Sequence, residues 1–181
     1  AALDAVAALA SVSDDGGDRF GVLAFDAEPR LWLPPARLGA RPALTALYDL
    51  EPSTADSDYA RAFQRLTAAK RALVFLFTDL IEEVAARPLV AAMPILARRH
   101  AVTLVSARDE ALESAVTGER GEATEVLDAL RAAVALEVLD ARTRAAAITR
   151  AAGAEIVEAP PGELAGAVVS SYLRAKTRAR A

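Results

Sequence analysis

The chain has 181 residues, of which 54% are apolar and 25% charged, and its formal net charge is −4. That is enough for one domain with a sizeable core and excludes a disordered composition, while the negative balance argues against a general nucleic-acid binder. The absence of Cys excludes disulfides and thiolate chemistry, and a single His excludes a multi-histidine metal site within one chain.

The opening "AALDAVAALASVS" places Leu3, Val6 and Ala10 at helical spacing with no cap in front of them, which reads as a chain entered in mid-helix and thus as part of a longer protein. No secretory signal is read here, and no apolar run reaches the roughly 18 residues that would span a bilayer. "RFGVLAF", residues 19–25, predicts a buried strand; turn residues 26–29 follow, and "RLWLP" predicts a short antiparallel return over 31–33. "RPALTALYDL" predicts a helix with Pro42 in its first turn, "EPSTADSD" a loop, and "YARAFQRLTAAK" a helix with Phe63 and Leu66 on its apolar side. "ALVFLFTD" has the continuous apolar run of a central parallel strand buried on both faces.

Residues 80–100 predict a helix broken or kinked at Pro88 and Pro94, then a strand over 101–107 and a short helix from Arg108. A long helix is expected over 122–150. Its stripe is Leu127, Leu130, Val134, Val138, Ala141, Ala145 and Ile148, with Gly153 as its C-cap. "AEIVEA" predicts the last strand, and a closing helix follows that begins after Pro161 and ends in basic residues. Strands alternating with helices imply a three-layer α/β architecture, a mostly parallel sheet with one antiparallel edge, in a single domain over 1–181.

The residues that invite a functional reading are few. Asp79 ends an apolar strand and opens a helix, so it reads either as a cap or as a ligand at the carboxyl edge of a sheet. Ser57 and Asp58 precede a helix, where capping is the first expectation. Asp26 reads as a turn residue, His100 as a cation suited to a helix end, and Trp32 as cover for the core or as an interface residue. The terminal "RAKTRAR" reads as a solvated helix end. There is no G-x-G-x-x-G, P-loop or G-x-S-x-G, and no His is placed beside a Ser nucleophile.

"GDRFGVLAFDAEPRLWLPP" and "FLFTDL" resemble the second strand with its hairpin, and the site-bearing strand, of von Willebrand factor A-like domains. The combination of "GDR-G-LAFD", "ALYDLEP", "FTDL", "LARRH" and "APPGELAGAVVSSYL" is similar to the bacterial domain of unknown function 58 family over nearly the whole chain. The resemblance implies a Mg²⁺ site at the carboxyl edge, with Ser57 at a hydroxyl position (Thr54 being the other choice) and Asp79 as the strand-end carboxylate. The family fold's leading Asp-x-Ser-x-Ser motif does not occur in these 181 residues. The domain is therefore expected to lack its first strand, to leave a gap between strands 19–25 and 71–78, and to hold Mg²⁺ tightly only in a longer chain.

The function so implied is a non-enzymatic protein-interaction module, an adaptor for a MoxR-type AAA+ ATPase. It would have no nucleic-acid partner and make no membrane contact of its own. Its place would be cytoplasmic, within a parent protein that in many relatives is membrane-anchored. The alternatives are a scaffold without ligand, and an enzyme or phosphate-accepting domain using Asp79.

Overall fold

The computed structural model describes residues 1–37, 41–51, 53–78, 83–117 and 125–180. Helix α1 (Ala2–Asp15) leads into an antiparallel hairpin, β1 (Phe20–Phe25) and β2 (Pro29–Ala36). Helices α2 (Arg41–Tyr48) and α3 (Tyr59–Leu66) follow. The remainder alternates: β3 (Leu73–Phe77), α4 (Glu83–Ala97), β4 (Ala101–Ala107), α5 (Glu110–Thr117), α6 (Glu125–Ala151), β5 (Ala154–Ala159) and α7 (Leu164–Arg180). The chain is thus α/β, and the return strand is longer than the three residues expected for it. Among the described residues no helix is long and apolar enough to cross a membrane.

The strands form two sheets rather than one. β3, β4 and β5 are parallel in that order, and among the described residues β1 pairs only with β2. The expected break between β1 and β3 is present. Side chains bridge it: Leu23 and Phe25 of β1 pack against the core on one face of the parallel sheet, and Phe20 packs against the core on the other. The first core joins α3, α4 and α6 through Phe63, Leu89, Met93, Leu96 and Ala145. The second joins α1 and α7 through Leu9, Val168 and Tyr172. Gly21 is required where β1 bulges, because a Cβ there would lie 2.7 Å from the Pro35 nitrogen and 2.8 Å from the Leu33 oxygen. Gly153 turns the chain from α6 into β5 at φ +100, as its expected cap role requires.

Several expectations are corrected. β3 is not the buried central strand: only Leu76 of its five residues is buried, because among the described residues the strand ends its sheet with one edge unpaired. β1 is half-buried at every position for the same reason. The central strand is β4, buried from Val102 to Ser106. Helix α4 runs through Pro88 and Pro94, so neither breaks it. On α6 only part of the expected apolar stripe is covered: Ala145 is buried and Val138 and Ala141 half-buried. Leu127, Leu130, Val134 and Ile148 are exposed, and the buried positions are Ala135, Arg142, Ala145, Ala146 and Thr149. Small side chains let α6 approach closely, whereas Leu at those positions would hold it off. His100 is buried rather than presented at a helix end; burial pushes its ring below the ordinary imidazole range, which favours the neutral form over the expected cation.

Candidate functional site at the carboxyl ends of β1 and β3

Three segments meet where β1 and β3 end. Phe25 delivers the chain to Asp26, which forms a tight Asx turn: its Oδ1 accepts from the Glu28 amide at 3.0 Å, and its Oδ2 accepts from Arg30 Nη1 at 2.7 Å. The Glu28 amide above all, with Arg30 after it, holds the Asp26 carboxyl down at about 2. The turn expectation for Asp26 is met, and the turn is also an anchor. Its carbonyl accepts from the Asp58 amide at 2.9 Å, which ties the start of α3 to the end of β1.

Asp58 is the N-cap of α3, its Oδ1 accepting from the Arg61 amide at 2.9 Å. One turn on, Arg61 Nη1 donates to Glu28 Oε1 at 3.1 Å, a solvent-exposed pair that aligns α3 with the hairpin more than it stabilises it. Tyr59, the first residue of α3, packs edge-on against Phe25 with ring centroids 5.6 Å apart. Its hydroxyl lies 2.9 Å from Thr78 Oγ1. The Thr78 amide in turn donates to the Val105 carbonyl at 3.1 Å and so continues the β3–β4 ladder. The ends of β1, β3 and β4 and the start of α3 thereby share one rim.

Of the expected pair of ligands, Ser57 sits on this rim, exposed, with Asp58 beside it doing the capping. Thr54 is likewise exposed in the preceding loop. Asp79 lies outside the described residues; Thr78, its neighbour, is bonded to Tyr59, two residues beyond Ser57. The donor set as described does not fit a held Mg²⁺, which wants near-octahedral oxygen ligation. Asp26 is committed to Arg30 and Asp58 to its helix, and no group of three acids or histidines is placed to hold a metal among the described residues. What the rim offers is exposed hydroxyls and fixed ion pairs above an aromatic floor.

Sequence reasoning missed Tyr59, Arg61 and Glu28. The aromatic pair Tyr59 and Phe63, four apart on α3, was the available signal for Tyr59. It missed Arg142 as well. This residue is buried on α6, and its Nη2 donates to the Ala107 carbonyl at 2.8 Å and the Ser106 hydroxyl at 3.2 Å, at the end of β4.

No curated protein and no solved structure matches the chain. A family model described as "Protein of unknown function DUF58" matches residues 1–144. The match takes in the hairpin, the rim, β4 and most of α6, while β5 and α7 lie beyond it. With most of its length covered by this match, the chain belongs to the DUF58 family.

Proposed function

We propose that the chain is a non-enzymatic protein-interaction module of von Willebrand factor A-like type that docks a protein partner at the rim formed by the ends of β1 and β3. In this reading the partner is a MoxR-type AAA+ ATPase, and the module acts as its cytoplasmic adaptor. The observation that carries the reading is the fixed meeting of Asp26, Asp58, Tyr59 and Thr78, which keeps the exposed Ser57 hydroxyl on a pre-organised rim. Metal dependence belongs to a longer chain bearing an Asp-x-Ser-x-Ser motif, with Ser57 and Asp79 as its contributions here.

Calorimetric titration of a purified MoxR-type ATPase into the protein, with and without Mg²⁺, tests this. Binding that Arg61→Glu weakens is expected, as is binding that a longer chain strengthens with Mg²⁺ and loses with Asp79→Ala. Absence of binding in every combination overturns the reading. A second reading, a scaffold without ligand, draws on the Asp58 cap and the Tyr59–Thr78 bond, both sufficient as structure alone. Rim substitutions that alter stability but never binding select it.

A further inference from the structure

The other edge of the parallel sheet is built differently from the rim. β5 makes no strand pair on its outer side among the described residues. Helix α6 covers one face of the sheet there and α7 the other. Between them runs a groove of about 860 Å³ whose floor is the β5 edge from Ala154 to Val157. Its walls carry Arg150 from α6 and Arg174 and Arg178 from α7, the last two on one helix face. Arg178 donates to Glu155 at 2.8 Å, whereas Arg150 and Arg174 have no ion-pair partner among the described residues. Three guanidiniums thus face one carboxylate in a chain whose net charge is −4. Ser171 also lines the groove, 1% exposed, and its hydroxyl has no hydrogen-bond partner among the described residues.

We propose that this groove is a strand-addition site for an acidic extended peptide. The free amides and carbonyls of the β5 edge supply the ladder, since an unpaired edge is a template for another strand. Residues of an added strand point alternately to the two faces, so Glu at every second position places its carboxylates on the face of Arg174 and Arg178 of α7. Glu155 already bridges to Arg178 and marks how a carboxylate is received there. Arginine suits the task because its planar fork binds carboxylate bidentately. The site lies on a different surface from the rim and does not depend on the rim's partner.

Fluorescence anisotropy with a labelled peptide of alternating Glu and Val tests the proposal, with a Gln and Val peptide as its neutral counterpart. The acidic peptide is expected to bind about tenfold more tightly at low salt, and Arg150→Glu with Arg174→Glu to remove that preference. N-methylation of alternate peptide amides, which blocks the ladder and keeps the charge, is expected to abolish binding. Should the double variant fail to fold, Arg174→Gln alone is expected to reduce the preference severalfold, with circular dichroism confirming the fold. Equal affinity for the two peptides, undiminished binding of the N-methylated one, or binding of anionic lipid vesicles without peptide binding would each overturn the proposal.

Discussion

Strand β1 of the hairpin and strand β4 of the parallel sheet are both largely apolar and differ sharply in burial. β4, "AVTLVSA", has five consecutive buried residues, while β1, "FGVLAF", has none. Strand composition does not account for this. β4 has a paired strand on each side and a helical layer on each face; β1 has one paired strand and a gap on the other side. The hairpin is joined to the body by Phe20, Leu23 and Phe25 packing against the two cores and, at its end, by the Asp26 carbonyl accepting from the Asp58 amide. Burial thus belongs to the neighbourhood of a strand, and where burial is incomplete, hydrogen bonds at one end add to the packing.

The sharpest way to break this comparison is to truncate one leucine in each region. Leu104→Ala in β4, where the side chain is 0% exposed, is expected to cost about 2–5 kcal/mol. Leu23→Ala in half-buried β1 is expected to cost about 1 kcal/mol. Urea unfolding of both variants checks the ordering, and equal losses would mean that β1 is as well packed as β4.

The body has polar ties of its own, and one of them joins α7 to the end of α1. Tyr172 of α7 donates to the Asp18 carboxylate, and Lys176 Nζ reaches the same carboxylate at 2.7 Å, joining the two ends of the chain over α1. Tyr172→Phe is expected to cost about 1 kcal/mol in the same measurement. The tie also has a pH signature. Burial first, then the bond to Asp18, raises the Tyr172 hydroxyl; the bond to Asp18 raises Lys176. Both groups hold their protons more firmly folded than unfolded. Their contribution is therefore complete below about pH 10 and lost as the pH climbs through the raised values. Tyr172→Phe is expected to flatten alkaline destabilisation.

Asp58→Ala removes the cap of α3 and is expected to cost about 1 kcal/mol or less. That loss should fall on α3 and the hairpin and spare β4, which site-resolved hydrogen exchange reads directly. The smallest expected effect is that of Asp26→Asn. Since the folded carboxyl sits at about 2 against 3.8, its contribution is present above 3.8 and fades as the pH falls toward 2. The variant is expected to lose acid sensitivity in that window, and an unchanged acid titration of stability would remove Asp26 from the account.

Most elements were legible in the sequence because their signals are local. The apolar runs of β3 and β4, Gly153 after α6 and Pro161 before α7 all mark positions by their own chemistry. Burial was not legible, because it depends on partners far along the chain. "LVFLF" reads as a central strand until the absence of a neighbour on one side is known. The leucines that head the α6 stripe are exposed, whereas the core takes the helix by Ala145 and Ala146, whose small size matters only against a particular surface. The Tyr172–Asp18 bond joins residues 154 apart, beyond any local pattern. At the rim, Asp26 and Asp58 were legible as turn and cap residues. Their bond to one another was not, since it exists only once β1 and α3 have met.

Amide hydrogen exchange, followed residue by residue as the pH is lowered from about 6 to about 2, tests the central claim most directly, with protection factors corrected for intrinsic rates. The amides of β1 are expected to be less protected than those of β4 throughout, and to lose protection first as Asp26 titrates toward its folded value of about 2. Equal protection in the two strands, or its simultaneous loss, would contradict a hairpin that is less completely packed than β4 and anchored at its end by the Asp26 turn.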